Sequence, residues 1–386
     1  MPRRPPSPRR SPRKRAGTAS PRPAFGTRRV VAAVGLAAVS AASLAAWAWT
    51  AGGPARLVAR AEAASKAGDW AEALVRWRAV NASGSARGRT HLAEARAALA
   101  LGRASEAEGA LRRAVAADPT ASEPWRLWLE VLRVEDRMTD AQRVGWDAYA
   151  AVPPGDRPAV LRELTLALLA DLPDDAARDT LARWSAVEDA EAEPDARAAL
   201  IQRYNTMPRP GDPSRTTRIE ELSKVLAERP GHAGAREALV TALADAGDVE
   251  AGRVALDSWP EPSRDARYWR LRGRWDLEYG RDPKSAAAAF ARALEELPHD
   301  WKTRVRLARA LRGLGREAAA RREAETVGRL REVLDPAALG PRLAAALPRP
   351  DRPETDVKAL ADLCARAGLN RLSHAWSLQD GTAGGH

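Results

Sequence analysis

The stretch AGDWAEALVRW, Ala67–Trp77, returns in altered form as LGRASEAEGAL, Leu101–Leu111. In each copy a Gly (Gly68, Gly102) is followed five positions on by Ala (Ala73, Ala107). A large apolar residue (Trp77, Leu111) comes four positions after that. Gly can take the positive φ that a tight turn requires, and residues four apart share one face of a helix. A single helix pair cannot bury its apolar face alone, so a period of about 34 residues predicts a stack of such pairs.

The spacing persists. Ala114 and Pro119 complete the second copy, and Trp125, Ala141, Gly145, Ala148 and Pro153 carry the register into a third, with Asp136 at the turn position. After a looser middle it resumes: Leu239, Leu243 and Gly247 form a copy whose second helix is cut short at Trp259-Pro260. Trp269, Gly273, Ala286, Phe290, Ala293 and Pro298 follow with one extra residue in the turn, then Leu307, Ala308, Leu311, Gly315 and Ala320. This pattern resembles the tetratricopeptide repeat, a helix-turn-helix unit of about 34 residues. The resemblance implies an all-α, right-handed helical solenoid that binds proteins or peptides in a concave groove.

On this reading residues 54–155 are repeats 1–3, 156–232 degenerate repeats, 233–335 further repeats and 336–380 C-terminal capping helices, with 381–386 a disordered end. Composition agrees with an all-α class. Ala, Arg and Glu abound, and no segment alternates apolar and β-branched residues as a strand would.

The net charge of +11 misdescribes the body. Residues 1–29 hold ten Lys or Arg and no acidic residue, and the remainder carries 52 basic against 51 acidic groups. The repeat region therefore gives no reason to expect nucleic acid as a partner. The Pro- and Arg-rich tail lacks apolar periodicity and is expected to be disordered. Its Ser7-Pro, Ser11-Pro and Ser20-Pro steps resemble chromatin-type motifs, but a basic flank touching acidic lipid explains them as well.

From Val30 to Ala55 no residue is charged. About 20 helical residues span a bilayer core, so residues 30–51 are expected to form one transmembrane helix before the solenoid. Trp47 and Trp49 stand at its far interface, and the positive-inside tendency keeps the tail cytoplasmic and the body periplasmic or otherwise extracytoplasmic. Ala46-Trp47-Ala48 leaves a cleaved signal open as the alternative, and a buried soluble helix is the plainest one.

Catalytic signatures are missing. No phosphate-binding loop, dinucleotide fingerprint, zinc-protease motif or nucleophile elbow occurs, and the five His are scattered without metal-ligand spacing. Neither enzyme activity nor a cofactor or metal is expected. Cys364, the sole cysteine, sits on an apolar helix face and reads as an inert buried thiol. Trp77, Trp125 and Trp269 read as core, and Trp146 and Trp301 as exposed.

The resemblance places the second, fifth, ninth and twelfth residues of each first helix in the groove. These are Gly234, Glu237, Thr241 and Ala244, then Arg267, Arg270, Arg274 and Leu277, then Lys302, Val305, Arg309 and Arg312. The partner-binding candidates are accordingly Arg267, Arg270, Arg274, Lys302, Arg309 and Arg312, facing an acidic segment of a protein or peptide. The expected function is a membrane-anchored interaction scaffold that assists assembly or secretion of envelope proteins. An accessory or regulatory subunit of a membrane-associated enzyme complex, coupled through the basic tail, is the alternative.

Overall fold

The computed structural model describes residues 53–170, 174–187, 193–347 and 355–379. The expected basic tail (1–29), membrane helix (30–51) and disordered end (381–386) lie outside the described residues. Among the described residues there is no strand, and no helix is long and apolar enough to cross a membrane.

Most helices of the described residues pack against the next one in the chain. The first array contains α1 (53–67), α2 (Trp70–Val80), α3 (Gly88–Ala100), α4 (Ala104–Ala117), α5 (Ser122–Val134), α6 (Met138–Ala151) and α7 (Arg157–Leu169). A second array contains α8 (Asp174–Ser185), α9 (Pro194–Thr206), α10 (Arg215–Glu228), α11 (Ala233–Ala246), α12 (Val249–Asp257), α13 (Ala266–Glu278), α14 (Pro283–Glu296), α15 (Trp301–Gly313) and α16 (Glu317–Val333). Three shorter helices follow: α17 (Pro336–Ala346), α18 (Val357–Arg366) and α19 (Asn370–Ser377).

The period seen in the sequence is a backbone event. Positive φ occurs at Gly68, Gly102 and Asp136, one repeat apart, and again at Gly247, Arg281 and Gly315 with the same spacing. At Gly102 the amide donates to Leu99 O (3.0 Å) and that of Arg103 to Ala98 O (2.9 Å). This pair of bonds satisfies carbonyls that the end of α3 would otherwise leave orphaned. Asp136 and Arg137 make the same two bonds at 3.2 and 2.8 Å, because Asp tolerates the left-handed region better than most residues. Carboxylates then start many of the following helices: Asp69, Asp248, Asp282 and Asp300 each accept from backbone amides of the first turn.

Small residues set how closely the helices approach. Ala73, Ala107, Ala141, Ala286 and Ala293 are all buried, at the register positions. A Cβ on Gly273 would lie 2.6 Å from the ring of Phe290, and one on Gly145 would lie 2.8 Å from Leu164. The α13–α14 and α6–α7 contacts therefore have no room for a side chain there.

The two arrays part within the segment 156–232. α7 packs on α5 and α6 and so extends the first array, whereas α8 packs on α9. The chain then doubles back: Leu181 and Trp184 of α8 and Ala196, Ala199 and Leu200 of α9 share a core with Leu111, Trp128 and Leu132. The last helices also depart from a simple end cap. While α18 meets α16, α19 meets α7, and Leu161, Leu164 and Leu168 share a core with Leu360, Cys364 and Trp376. Trp376 Nε1 donates to Thr165 Oγ1 at 2.9 Å, which satisfies the one polar atom of a fully buried indole.

Trp77 and Trp125 are buried as expected. Trp269 is only half-buried, with the Arg292 guanidinium 3.7 Å from its ring centre. Trp146 and Trp301, read as exposed from sequence, are also half-buried. Arg371 at 3.9 Å and Arg331 at 5.3 Å cover their faces, and such long cationic side chains are invisible to a periodicity argument. Cys364 is buried, and burial pushes its thiol up to about 12.

Candidate interaction surface

The six basic candidates fall into two groups. On α13, Arg267 lies 3.6 Å from Asp265 and 3.9 Å from Glu237. Arg270 donates to Glu237 and approaches Asp300 at 3.5 Å. Arg274 pairs with Glu278 one turn later at 2.9 Å. Burial opposes the charge of Arg270, but Glu237 and Asp300 outweigh it and hold the guanidinium protonated. Glu237 is itself a groove position of the sequence pattern, yet nothing in that pattern pairs it with Arg270 on the next inner helix.

On α15 the situation differs. Lys302, Arg309 and Arg312 are exposed, and among the described residues none has a carboxylate partner; Lys302 only approaches the Trp301 ring, at 5.9 Å. Val305, 46% exposed, lies on the same side of the helix. Residues 302, 305, 309 and 312 are spaced three, four and three apart, which aligns them along one face. Arg306, absent from the sequence-based candidates, adds to this charge from the neighbouring position. Its basicity is lowered by burial first and by Arg274 second. Arg274 on α13, one helix pair earlier in the chain, is the signal that could have revealed it.

A polar cleft of about 680 Å³ opens between the arrays. Arg137, Thr139 and Asp140 at the start of α6 form one wall. Asp195, His232, Gly234, Asp265 and Arg267, at the first turns of α9, α11 and α13, form the other. Beneath it lies a buried ion network. Arg137 reaches Glu108 at 2.8 Å, Glu135 at 2.9 Å, Asp140 at 3.0 Å and Asp195 at 3.7 Å. Trp128 Nε1 donates to Glu108 at 3.1 Å, and Arg112 pairs with the same carboxylate at 2.6 Å.

The electrostatics of this network follow from burial and from the cations Arg137 and Arg112. Burial works against the charge of Glu108, but Arg137 and Arg112 hold its carboxyl below the usual range. Glu135 is pushed up to about 8, by burial first and by Asp195 second. The oxygens of Glu108, Glu135 and Asp195 lie within 4.8 Å of one another. That spacing could suit a cation, but the Arg137 guanidinium already contacts this trio and supplies the countercharge. His232 Nδ1 accepts from the Ala235 amide at 3.1 Å, capping α11, while Nε2 lies 3.3 Å from Asp195. Burial lowers the basicity of this imidazole, and accepting at Nδ1 requires that nitrogen to be unprotonated.

Stacked helix-turn-helix units with paired inner helices define an interaction scaffold of the repeat-protein class. Residues 211–274, from the loop before α10 into α13, match the tetratricopeptide repeat family. No curated protein matches the chain in sequence. Among the solved structures similar to it are three at low identity. A tetratricopeptide repeat protein from Parabacteroides merdae is 12% identical, with a TM-score of 0.31, over 67% of this chain and 98% of that one. Pseudomonas aeruginosa PilF is 16% identical, with a TM-score of 0.28, over 55% and 92%. The tetratricopeptide domain of P58(IPK) is 14% identical, with a TM-score of 0.28, over 84% and 91%.

Proposed function

We propose that this protein is a non-catalytic scaffold that docks an acidic segment of a partner protein along α15. The observation that carries this reading is the contrast between the two inner helices. The arginines of α13 are satisfied by carboxylates of the chain, whereas Lys302, Arg309 and Arg312 are exposed without any among the described residues, around an exposed Val305. Exposed like charges along one face steer an oppositely charged partner and set its register more than they add affinity. An apolar side chain in that partner, placed between its acidic residues, would cover Val305.

A peptide of alternating Glu and Leu, measured by fluorescence anisotropy, tests this. Binding should weaken steeply as salt rises from roughly 20 to roughly 200 mM, as expected for screened surface charge. Changing Lys302, Arg309 and Arg312 together to Glu should abolish it while leaving helicity and melting unchanged. Equal binding by parent and triple variant would place the partner elsewhere.

The same reading anchors the chain in a membrane through residues 30–51, tail inside and repeats outside the cytoplasm, where they would assist assembly or secretion of envelope proteins. Its support is the uncharged run Val30–Ala55 beside a wholly basic tail. The full chain should resist carbonate extraction from membranes. Recovery of a soluble mature chain beginning near Trp49 would establish a cleaved signal instead.

A further inference from the structure

Besides the cleft between the arrays, the molecule holds a smaller pocket, of about 390 Å³, among the turn before α15, the helices α15 and α16, and the end of α18. Its apolar lining comes from Leu330 and Val333, both buried in α16, and from Pro298, Ala365 and Ala367. Arg304, Arg329 and Arg366 share the lining with them. Arg304 is turned away from the face of α15 that carries Lys302, Val305, Arg309 and Arg312, because neighbours one or two apart on a helix point in different directions. The pocket is therefore separate from the proposed docking surface.

What the chain does with these three cations differs. Arg304 donates to the Pro298 carbonyl at 2.9 Å and to Glu323 at 2.8 Å. Arg366 lies 3.3 Å from Glu332 and 3.9 Å from Asp362. Arg329 donates to Thr326 Oγ1, one turn earlier on α16, at 3.1 Å, and among the described residues no carboxylate pairs with it. Glu332 is the one carboxylate in the lining; it is the partner of Arg366, and its side chain is 72% exposed to water. One guanidinium on an apolar pocket is thus left without a countercharge. The polar cleft between the arrays is different, since Asp140, Asp195, Asp265 and Glu296 line it beside its arginines and favour no single sign of ligand.

We propose that this pocket binds a small monocarboxylic acid with a compact apolar body, the carboxylate on Arg329 and the body against Leu330, Val333 and Ala367. Its volume falls in the range of roughly 300–1,000 Å³ typical of small-molecule sites, and such sites combine an apolar lining with a few polar groups. Apolar surface leaving water supplies the drive, and the planar guanidinium fork matches a carboxylate with two parallel hydrogen bonds. A carboxylic acid is ionised near neutral pH, so it brings the charge that Arg329 lacks. One uncompensated cation matches one negative charge, which sets a carboxylate ahead of a doubly charged phosphate. The inference does not depend on the acidic-partner reading for α15.

Fluorine NMR with para-fluorophenylacetate added to the full chain tests this. The resonance of the acid should broaden saturably. The amide para-fluorophenylacetamide, with the same ring and no charge, should bind on the order of three- to fivefold more weakly. Arg329→Gln should weaken binding of the acid by the same factor and leave the amide unchanged. Ala365→Leu should weaken both, because the added volume enters the pocket. Both positions are exposed, so the variants should keep the helicity of the parent.

Absence of saturable binding by the acid overturns the proposal, as does equal affinity for acid and amide. Unchanged binding by Ala365→Leu would place the ligand outside this pocket and overturn it too. If Arg329→Gln weakens acid and amide alike, the arginine shapes the pocket rather than pairing with the charge, and the carboxylate assignment falls. Tighter binding of para-fluorophenyl phosphate than of the acid would assign the site to a dianion. Preference for an acetylated peptide ending in para-fluorophenylalanine would assign it to a chain end, and either outcome overturns the small-acid reading.

Discussion

Arg137, at the α5–α6 turn of the first array, lies 3.7 Å from Asp195 at the start of α9 in the second. The same guanidinium holds Glu108 and Glu135, and its side chain is only 11% exposed. One cation therefore contacts carboxylates from three separate elements. Removing one partner of a buried ion pair costs about 3–5 kcal/mol, because charge is left uncompensated. Arg137→Met should lower stability by that order in urea unfolding. Arg137→Lys should recover only part of the loss, since an ammonium cannot reproduce the guanidinium fork. A loss under about 1 kcal/mol for Arg137→Met would show that the carboxylates reach water once the cation is gone.

Glu135 gives stability a pH dependence of its own. Its folded-state pKa of about 8 lies above the ordinary 4.5, so the folded chain binds this proton more tightly than the unfolded chain. The resulting contribution is full below about 4.5 and is lost as pH rises through about 8. Glu135→Gln should flatten that part of the profile and leave the variant relatively more stable than the parent at pH 8. Urea midpoints at pH 5, 6.5 and 8 measure the slope, and parallel profiles for parent and variant would contradict it.

His232 acts in the opposite direction. Its folded pKa is lowered from 6.5, so the unfolded chain binds the extra proton. Its contribution is present above about 6.5 and is lost as pH falls through the lowered folded value. Protonation at Nδ1 also removes the cap on α11. His232→Asn keeps a capping acceptor that does not titrate. The acid-side loss of stability should shrink in this variant, and an unchanged profile below pH 6.5 would assign that loss to another group.

The close helix contacts predict a graded response to volume. Ala107→Leu and Ala293→Leu insert bulk at buried register positions and should each cost about 1–3 kcal/mol by overpacking. Ala71→Leu, on the exposed face of α2, should change stability by less than about 0.5 kcal/mol. Gly273→Ala should resemble the first two, because its new methyl meets the Phe290 ring. Equal effects at Ala71 and Ala107 in urea unfolding would dissolve the register.

Much of the fold was legible because it is local. The turn at Gly102, the Ala107–Leu111 face and the shortened α12 each depend on residues within one helix pair, and the repeat period exposes them. Even Asp136 and Arg281 could be placed at turns, since their positions follow from the period alone. The cleft and its ion network were not legible. Arg137 meets Asp195 with all of α6, α7 and α8 between them in the chain, and neither differs in sequence from the many solvated charges around it.

The sequence alone therefore determined an all-helical stack of paired helices, because short-range spacing dictates turns, faces and close contacts. The tertiary structure decided that α7 leaves α8 to join the first array and that α19 returns to α7. It also decided which arginines are exposed, on α15, and which are consumed by the chain's own carboxylates, on α13. Charge pairing and array docking depend on which surfaces meet over long sequence separations. A periodic pattern fixes each helix's apolar face but leaves its polar partners to the path of the whole chain.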